Sequence, residues 1–451
     1  MTSQSLTPSQ GEVGRERLTP AARRALLGAC VGTVIEWFDY ALFASFSAIL
    51  ASEIFFPNLA PGIGVLAALS TFGVGFFIRP LGGFVLGRLG DRYGRKPVLV
   101  FTLTLMGVAT VAVGFLPTYA AVGILSPILL VLLRLIQGFG AGAESAGAIA
   151  IVAEYAPLRR RGFYTSFVQT SQIVGSLIAS LVFIGVSSLP QDVFLSWGWR
   201  IPFYGAALLL GVAFWLRSRL EESDEYVQAV EKARDRTGQD LHPMRTLFTT
   251  MKKPLFLGLI VMCALNNASA TLSVFTPSYL RNTLHMPAQS VFIVTSVGFF
   301  VGIFAGTLAG HLCDRFGFRK IWTAGALITA PGIFLYFMLL DTGSFALVLL
   351  AAGASYLLSY ATMTGPSPGL LSNVFPTEVR YSGIAAVKET SSALAVGTMP
   401  IIATALVLAT GGSPWLVATY VAVWCLLGVL ALRALGRSIE TPAQRNLTVN
   451  D

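Results

Sequence analysis

The chain has 451 residues, of which 54% are hydrophobic and only 12% charged, with a mean hydropathy of +0.71. Soluble domains carry about 25% charged residues, so this composition excludes a secreted disulfide scaffold, a disordered protein and most soluble enzymes. It describes a polytopic membrane protein, and the net charge of +9 then reflects basic loops and not a nucleic-acid partner.

A hydrocarbon core takes roughly 20 apolar residues in helix. Residues 1–24 form a polar, Arg-containing tail with no cleavage site. The apolar run that follows is too long for a signal peptide and is expected to be retained. Six spans are predicted near 25–50, 63–87, 97–116, 123–153, 163–186 and 200–216. A polar linker, 217–253, mixes eight bases with seven acids and reads as a solvated connector. Six more spans follow near 254–280, 291–313, 321–340, 344–374, 383–410 and 415–435, before a tail at 436–451. The predicted fold is therefore all-α, with twelve membrane helices in two six-helix bundles, 25–216 and 254–435. The long fourth and tenth spans are expected to tilt or to extend beyond the bilayer.

One set of connections, including both tails and the linker, holds 26 of the 31 Lys and Arg; the opposite set holds only Arg200 and Arg281. The positive-inside bias places both termini in the cytoplasm of a cell (plasma or inner) membrane.

Charges inside spans cost about 2.5–3.5 kcal/mol each at mid-membrane, so they mark function or pairing. Span 1 carries Glu36 and Asp39, span 2 Arg79, span 4 Arg134 and Glu144, and span 11 Lys388 and Glu389. Glu36 and Asp39 are i and i+3 on one helix face, and two adjacent desolvated carboxylates have a raised proton affinity. Arg134, Gln137 and Glu144 share a stripe at 100° per residue. The acids Asp39, Glu36 and Glu144 are the proton-coupling set expected here. The alternative for each is a fixed ion pair with an arginine. Arg79 and Arg134 offer a substrate carboxylate a bidentate partner. The polar side chains Gln137, Gln169, Gln172, Asn266 and Asn267 offer hydrogen bonds, or hold neighbouring helices together. For Lys388, snorkelling to the cytoplasmic surface or a structural pair is favoured over a role in binding an acidic substrate.

An internal repeat runs at an offset of 223. Gly83-x3-Gly87-x3-Asp91-Arg92-Tyr93-Gly94 recurs as Gly306-x3-Gly310-x3-Asp314-Arg315-Phe316-Gly317. Two parallel-topology halves follow from it. The small residues permit close helix approach, and the charges beyond them can bridge to neighbouring helix ends in one conformation and release in another. Gly87, Asp91, Arg92, Gly94, Arg95, Asp314 and Arg315 are the expected gate. Asp314 is the weaker member, since Phe318 stands where the first copy has Arg95.

Gly87-Arg-Leu-Gly-Asp91-Arg92-Tyr-Gly94-Arg95-Lys96 resembles the loop 2–3 signature of the major facilitator superfamily, and Arg134-Leu-Ile-Gln137-Gly138-Phe-Gly140 resembles its helix 4 motif. Glu36-Trp37-Phe38-Asp39, Arg79-Pro80-Leu-Gly82-Gly83, Trp199-Arg200-Ile-Pro202-Phe203 and Phe375-Pro376-Thr377-Glu378-Val379-Arg380-Tyr381-Ser382-Gly383 are similar to its metabolite:proton symporter family. The resemblance implies proton-coupled uptake of small metabolites such as proline and betaine, alpha-ketoglutarate, citrate or shikimate, through a central cavity between the halves. It also points to Asp39 and Glu36. Span 11 departs from the family pattern: Lys388-Glu389 stands where neutral residues are expected.

The reading is a proton-coupled secondary transporter that imports a small organic acid or zwitterion by alternating access, as a monomer. No cofactor is expected; the proton gradient drives it. The four cysteines and three histidines form no metal or disulfide pattern. The alternative, a proton antiporter exporting drugs or metabolites, lacks its Gly-Pro signature within 162–186. A nontransporting sensor would need an output domain, and a membrane enzyme a catalytic constellation; neither is found.

Overall fold

The computed structural model describes residues 20–93, 95–142, 160–218, 249–375 and 380–436, together with Val152 and Ala156. Among them twelve membrane-length or near-membrane-length helices follow one another: α1 (Pro20–Ile49), α2 (Pro61–Leu86), α3 (Arg95–Gly114), α4 (Leu125–Ala141), α5 (Arg161–Ser187), α6 (Ile201–Ser218), α7 (Lys252–Thr283), α8 (Ala288–Phe316), α9 (Phe318–Asp341), α10 (Phe345–Val374), α11 (Ser382–Ala409) and α12 (Trp415–Leu435). Away from their ends such helices satisfy their backbone polar groups within the segment, which is what a bilayer demands. Large apolar side chains such as Phe115, Leu208, Phe256 and Phe304 face outwards, where lipid replaces water as solvent.

The packing repeats every six helices. Helix α1 lies on α5 as α7 lies on α11, α2 on α4 as α8 on α10, and α3 on α6 as α9 on α12. Two six-helix bundles result. The contact between Gly83 and Gly142, where an added Cβ would lie 2.8 Å from a carbonyl oxygen, has its counterpart 223 residues on. There a Cβ added to Gly365 would lie 2.9 Å from the carbonyl oxygen of Gly306. The repeat thus extends beyond the loop motif to the helix it packs against.

Each bundle closes over aromatic rings. In the first, Trp199 is fully buried and stacks on Phe46 at 5.1 Å, with Phe55 and Phe203 edge-on. The neighbouring Arg200 donates to the carbonyls of Ser196 (2.7 Å) and Leu116 (3.1 Å), tying the α5–α6 connection to the end of α3. The Trp199-Arg200-Ile-Pro202-Phe203 motif is thereby structural. The second bundle buries Trp322, Phe318 and Phe337 in the same manner.

Two seams join the bundles, α5 against α8 and α2 against α11. Lipid supplies no hydrophobic drive between helices, so close approach over small residues does the work. A Cβ on Gly73 would sit 2.5 Å from the carbonyl oxygen of Gly397. Along the other seam Gly310 abuts Ser166, the Thr170 and Thr307 hydroxyls meet at 3.3 Å, and Ser296 donates to Ser180 at 2.9 Å.

Breaks in the helices fall near the molecular centre. Helix α2 is interrupted at Ile78, just before Arg79 and Pro80. The long tenth span runs over Phe345–Val374 with a turn at Gly365 and Pro366, where proline removes a hydrogen-bond donor and clashes with the preceding turn. The π-helical turns described, Thr271–Phe275, Tyr279–Thr283, Tyr356–Tyr360 and Ser392–Val396, all lie in α7, α10 and α11 of the second bundle.

Candidate functional site

Between the bundles lies a small central cavity of ≈ 40 Å³. A water needs roughly 10–15 Å³ of such space, so a few waters fit and a metabolite does not. Its wall carries charge from both bundles: Glu36 of α1, Arg79 of α2 and Lys388 of α11. Amides from Gln169 and Gln172 of α5 and Asn266 of α7 complete the polar part. Aromatic faces come from Trp37 and Tyr40, Phe76, and Tyr360 of α10.

Glu36 and Arg79 face each other at 3.6 Å, both nearly inaccessible to solvent. The guanidinium also lies over the Phe76 ring, 4.6 Å from its centre. Neither carboxylate oxygen of Glu36 accepts a hydrogen bond. The pair is held by charge without the hydrogen bonds that normally repay burial. Gln169 donates to Gln172 at 2.7 Å, and Asn266 to the hydroxyl of Ser391 at 3.0 Å.

Lys388 corrects the expectation of snorkelling. It sits four residues before the π-turn of α11, on the helix face turned to the cavity, and not at the surface.

Asp39 corrects the picture of two carboxylates sharing one site. It does not line the cavity. It accepts hydrogen bonds from Thr110 of α3 and Gln137 of α4, while Gln137 also donates to Thr110 at 2.8 Å. Arg134 donates to the amide oxygen of Gln137 and rests on the Phe43 ring, 3.8 Å from its centre. The chain Asp39–Gln137–Arg134 therefore lies behind the wall, inside the first bundle. The reason is geometric: i and i+3 differ by about 60° around the helix. That is enough, at a boundary, to send Glu36 towards α2 and α11 and Asp39 towards α3 and α4. Arg134 and Gln137 are likewise behind the wall, separated from the cavity that Arg79 enters.

At the end of the molecule carrying the termini, Asp314 at the last turn of α8 reaches α5. Its Oδ1 accepts from the backbone N–H of Gly162 at 2.7 Å and its Oδ2 from that of Phe163 at 2.9 Å. The lack of a base aligned with Arg95 is thus no measure of this residue, whose partners are backbone donors of the other bundle. Arg315 is exposed beside it, over the Phe316 ring. Gly87 lies within the helix leading to the first copy of the motif. Glu144, Gly94 and the side chains of Asp91, Arg92 and Arg95 fall outside the described residues.

At the opposite end a vestibule of ≈ 530 Å³ opens between the ends of α1, α2, α7 and α11. Across it Arg281 faces Glu53 at 3.6 Å, and Asn282 donates to the carbonyl of Ala48 at 3.0 Å. Sequence reasoning singled out neither Thr110 nor the Glu53–Arg281 pair. A threonine in an apolar span carries no periodic signal, and loop charges are ordinary.

The Major Facilitator Superfamily model matches residues 29–400 and 257–450. The chain is 33% identical over 437 residues to the shikimate transporter of Escherichia coli K12, covering 94% of this chain and 96% of that one. It is 34% identical over 433 residues to the proline/betaine transporter of Salmonella typhimurium, covering 94% and 85%. Among solved structures, a crystal structure of a D-xylose-proton symporter superposes with a TM-score of 0.70 at 20% identity, over 92% of this chain and 98% of the other. The xylose transporter of E. coli in a partially occluded inward-open conformation gives 0.69, also at 20% identity, over 92% and 97%.

Proposed function

The chain belongs to the Major Facilitator Superfamily and is a secondary active transporter, and from that premise we propose that it imports a small, carboxylate-bearing metabolite together with protons. The observation that carries this reading is the polar cavity between the bundles, walled by Glu36 and Arg79 from one half and Lys388 from the other. A carboxylate is common to shikimate, proline and betaine, the compounds for which the relatives are named. Two cations on the wall suit that group, and the amides and aromatic faces suit the remainder of a small polar molecule.

Alternating access follows from rocking one bundle against the other about the α5–α8 and α2–α11 seams. Two acids have roles in this scheme. Glu36 meets substrate directly. Asp39, tied to Arg134 through Gln137, senses protons from within the first bundle and biases its packing. Coupling arises because protonation changes the relative stability of the two orientations. Symport down an inward proton gradient makes the process uptake.

The test is accumulation in proteoliposomes of labelled shikimate, proline, betaine and citrate with a pH gradient imposed or absent. Gradient-driven uptake of at least one compound is expected. Efflux against the proton flow, or no movement of any, would refute the reading.

A further inference from the structure

We propose that the vestibule at the end opposite the termini is a second binding site, separate from the central cavity, where the carboxylate of an approaching metabolite docks on Arg281 and the Thr404 hydroxyl. The proposal rests on the import reading above for the molecules that reach this end, and adds a waiting place ahead of the central cavity.

Size is the first argument. The central cavity of ≈ 40 Å³ takes a few waters, whereas the vestibule offers ≈ 530 Å³. Ligand pockets run to roughly 300–1,000 Å³, so in this conformation the vestibule is the space with room for a metabolite. The two spaces are distinct. Along α2 the vestibule reaches Val65 and the cavity Phe76, and along α11 they reach Thr404 and Val396. At 1.5 Å per residue these pairs stand about 12–17 Å apart. Between them Gly73 and Gly397 bring the helices together, since a Cβ on Gly73 would lie 2.5 Å from the Gly397 carbonyl oxygen.

Unspent hydrogen bonds are the second argument. The π-turn Tyr279–Thr283 supplies Tyr279, Arg281 and Asn282 to the wall, and π-turns are rare and gather at functional sites. Tyr279 donates to Asp341 at 2.7 Å, and Asn282 to the carbonyls of Ala48 and Ser278 at 3.0 Å, so both are occupied. Arg281 is held only loosely. Glu53 at 3.6 Å and the Met286 carbonyl at 3.4 Å are farther than the roughly 2.7–2.9 Å of a charge-assisted bond. Thr404 is 8% exposed and its hydroxyl has no partner. Thr398 and Thr410, near it in the chain, bond back to carbonyls of the preceding turn at 2.6 and 2.8 Å. One free donor thus comes from α7 and another from α11.

Screening selects the sign of the ligand. The titratable groups of the wall are Glu53, Tyr279, Arg281 and His285, with Asp341 behind Tyr279. Glu53 stands on the five-residue helix Ala51–Phe55 with 42% of its side chain exposed, against 23% for Arg281. Water therefore screens the acid more than the base. An exposed pair parts at little cost, so Glu53 turns to water and a carboxylate takes its place on the guanidinium. Phe56, Leu59 and Leu408 offer an apolar surface to the rest of the molecule.

Labelled shikimate and proline, with choline as a cation that lacks a carboxylate, are the probes for the purified full chain. Equilibrium dialysis should find two molecules of at least one carboxylate per chain. Arg281→Gln and Thr404→Val should each weaken one of them at least fivefold and leave the other within twofold. Arg281→Lys and Thr404→Ser, which keep a donor, should restore binding to within threefold. Arg79→Gln should remove the molecule that the vestibule variants leave in place. In that Arg79→Gln background the same carboxylate should still slow alkylation of a Leu408→Cys thiol, and choline should not. In transport, Arg281→Gln should raise KM at least fivefold with kcat within twofold, a split that loss of a merely structural ion pair would not give. One bound molecule per chain, lost in Arg79→Gln and indifferent to Arg281→Gln, would overturn the proposal and leave import standing. No protection of the thiol by either carboxylate, or equal protection by choline, would overturn it as well. Protection that depends on Arg281, with no gradient-driven uptake of any compound, would refute the import reading and leave the vestibule site in place.

Discussion

Asp314 Oδ1 of the second bundle accepts the backbone N–H of Gly162 of the first at 2.7 Å. Together with the bond from Phe163 to Oδ2, it latches α8 to the first turn of α5. Those backbone donors have no partner within their own helix, and a carboxylate at a helix N-terminus is also favoured by the helix dipole. Opening at this end must break both bonds.

The first prediction is that Asp314→Asn loosens this end. Hydrogen bonds to charged groups are worth roughly 1.5–3 kcal/mol, and the amide keeps one acceptor while turning its NH₂ towards a donor. A cysteine replacing Thr307, which faces Thr170 along the same seam, should react with a small thiol reagent at least tenfold faster in the Asp314→Asn background. Equal rates in both backgrounds would show that Asp314 is no latch.

Gly162 is the second test. A Cβ there would lie 2.7 Å from both the Gly310 carbonyl oxygen and Asp314 Oδ1, and a backbone carbonyl on a packed helix has nowhere to retreat. Gly162→Ala should therefore abolish turnover while the protein still inserts and purifies. Gly211→Ala, at a position with nothing within 4 Å, should transport normally. Loss in both, or in neither, would remove steric closure as the cause.

Much of this was legible beforehand. Hydropathy located the spans, and the repeat at 223 residues located the halves, because both express constraints that act along the chain. The charged positions were also legible, since few charges are tolerated in lipid. Their partners were not. Glu36 and Asp39 share a helix face on a wheel, yet they part because α2 and α11 lie to one side and α3 and α4 to the other. Lys388 stands five residues from Gly383, a distance compatible with snorkelling, and only the orientation of α11 against the cavity decides otherwise. Asp314 was undervalued because its partners are backbone N–H groups, which leave no mark in a sequence.

The third prediction concerns Asp39. Asp39→Asn mimics a permanently protonated carboxylate while keeping an acceptor for Thr110 or Gln137. Proton-driven accumulation should vanish and substrate exchange should persist. Thr110→Val, which removes one donor and no charge, should slow transport less than tenfold. Undiminished uphill transport by Asp39→Asn would take this residue out of the proton path.

Topology supplies the fourth. Single cysteines at Ser223 in the linker and at Pro61, the first residue of α2, should be labelled from opposite sides of the membrane by an impermeant reagent, with Ser223 on the cytoplasmic side. Labelling from the same side would refute the twelve-span arrangement.

The last prediction compares the two ends of the molecule. At the end opposite the termini, Glu53 and Arg281 face each other at 3.6 Å, with side chains 42% and 23% exposed. Solvent screens such a pair, and exposed ion pairs contribute only about 0–1 kcal/mol. Asn282 adds a neutral bond to the Ala48 carbonyl at 3.0 Å, worth about 1 kcal/mol net. The latch at the termini end pairs a half-buried carboxylate with two backbone donors and should exceed either contact. Glu53→Gln should therefore change transport rates less than threefold, and raising salt should reproduce its effect in the parent chain. Asp314→Asn should respond less to salt, because Asp314 is half-buried and its partners are backbone N–H groups and not a mobile charge. If Glu53→Gln proves as damaging as Asp314→Asn, and is equally salt-independent, then the vestibule pair is desolvated during the cycle. The end opposite the termini would then be the one whose closure limits turnover.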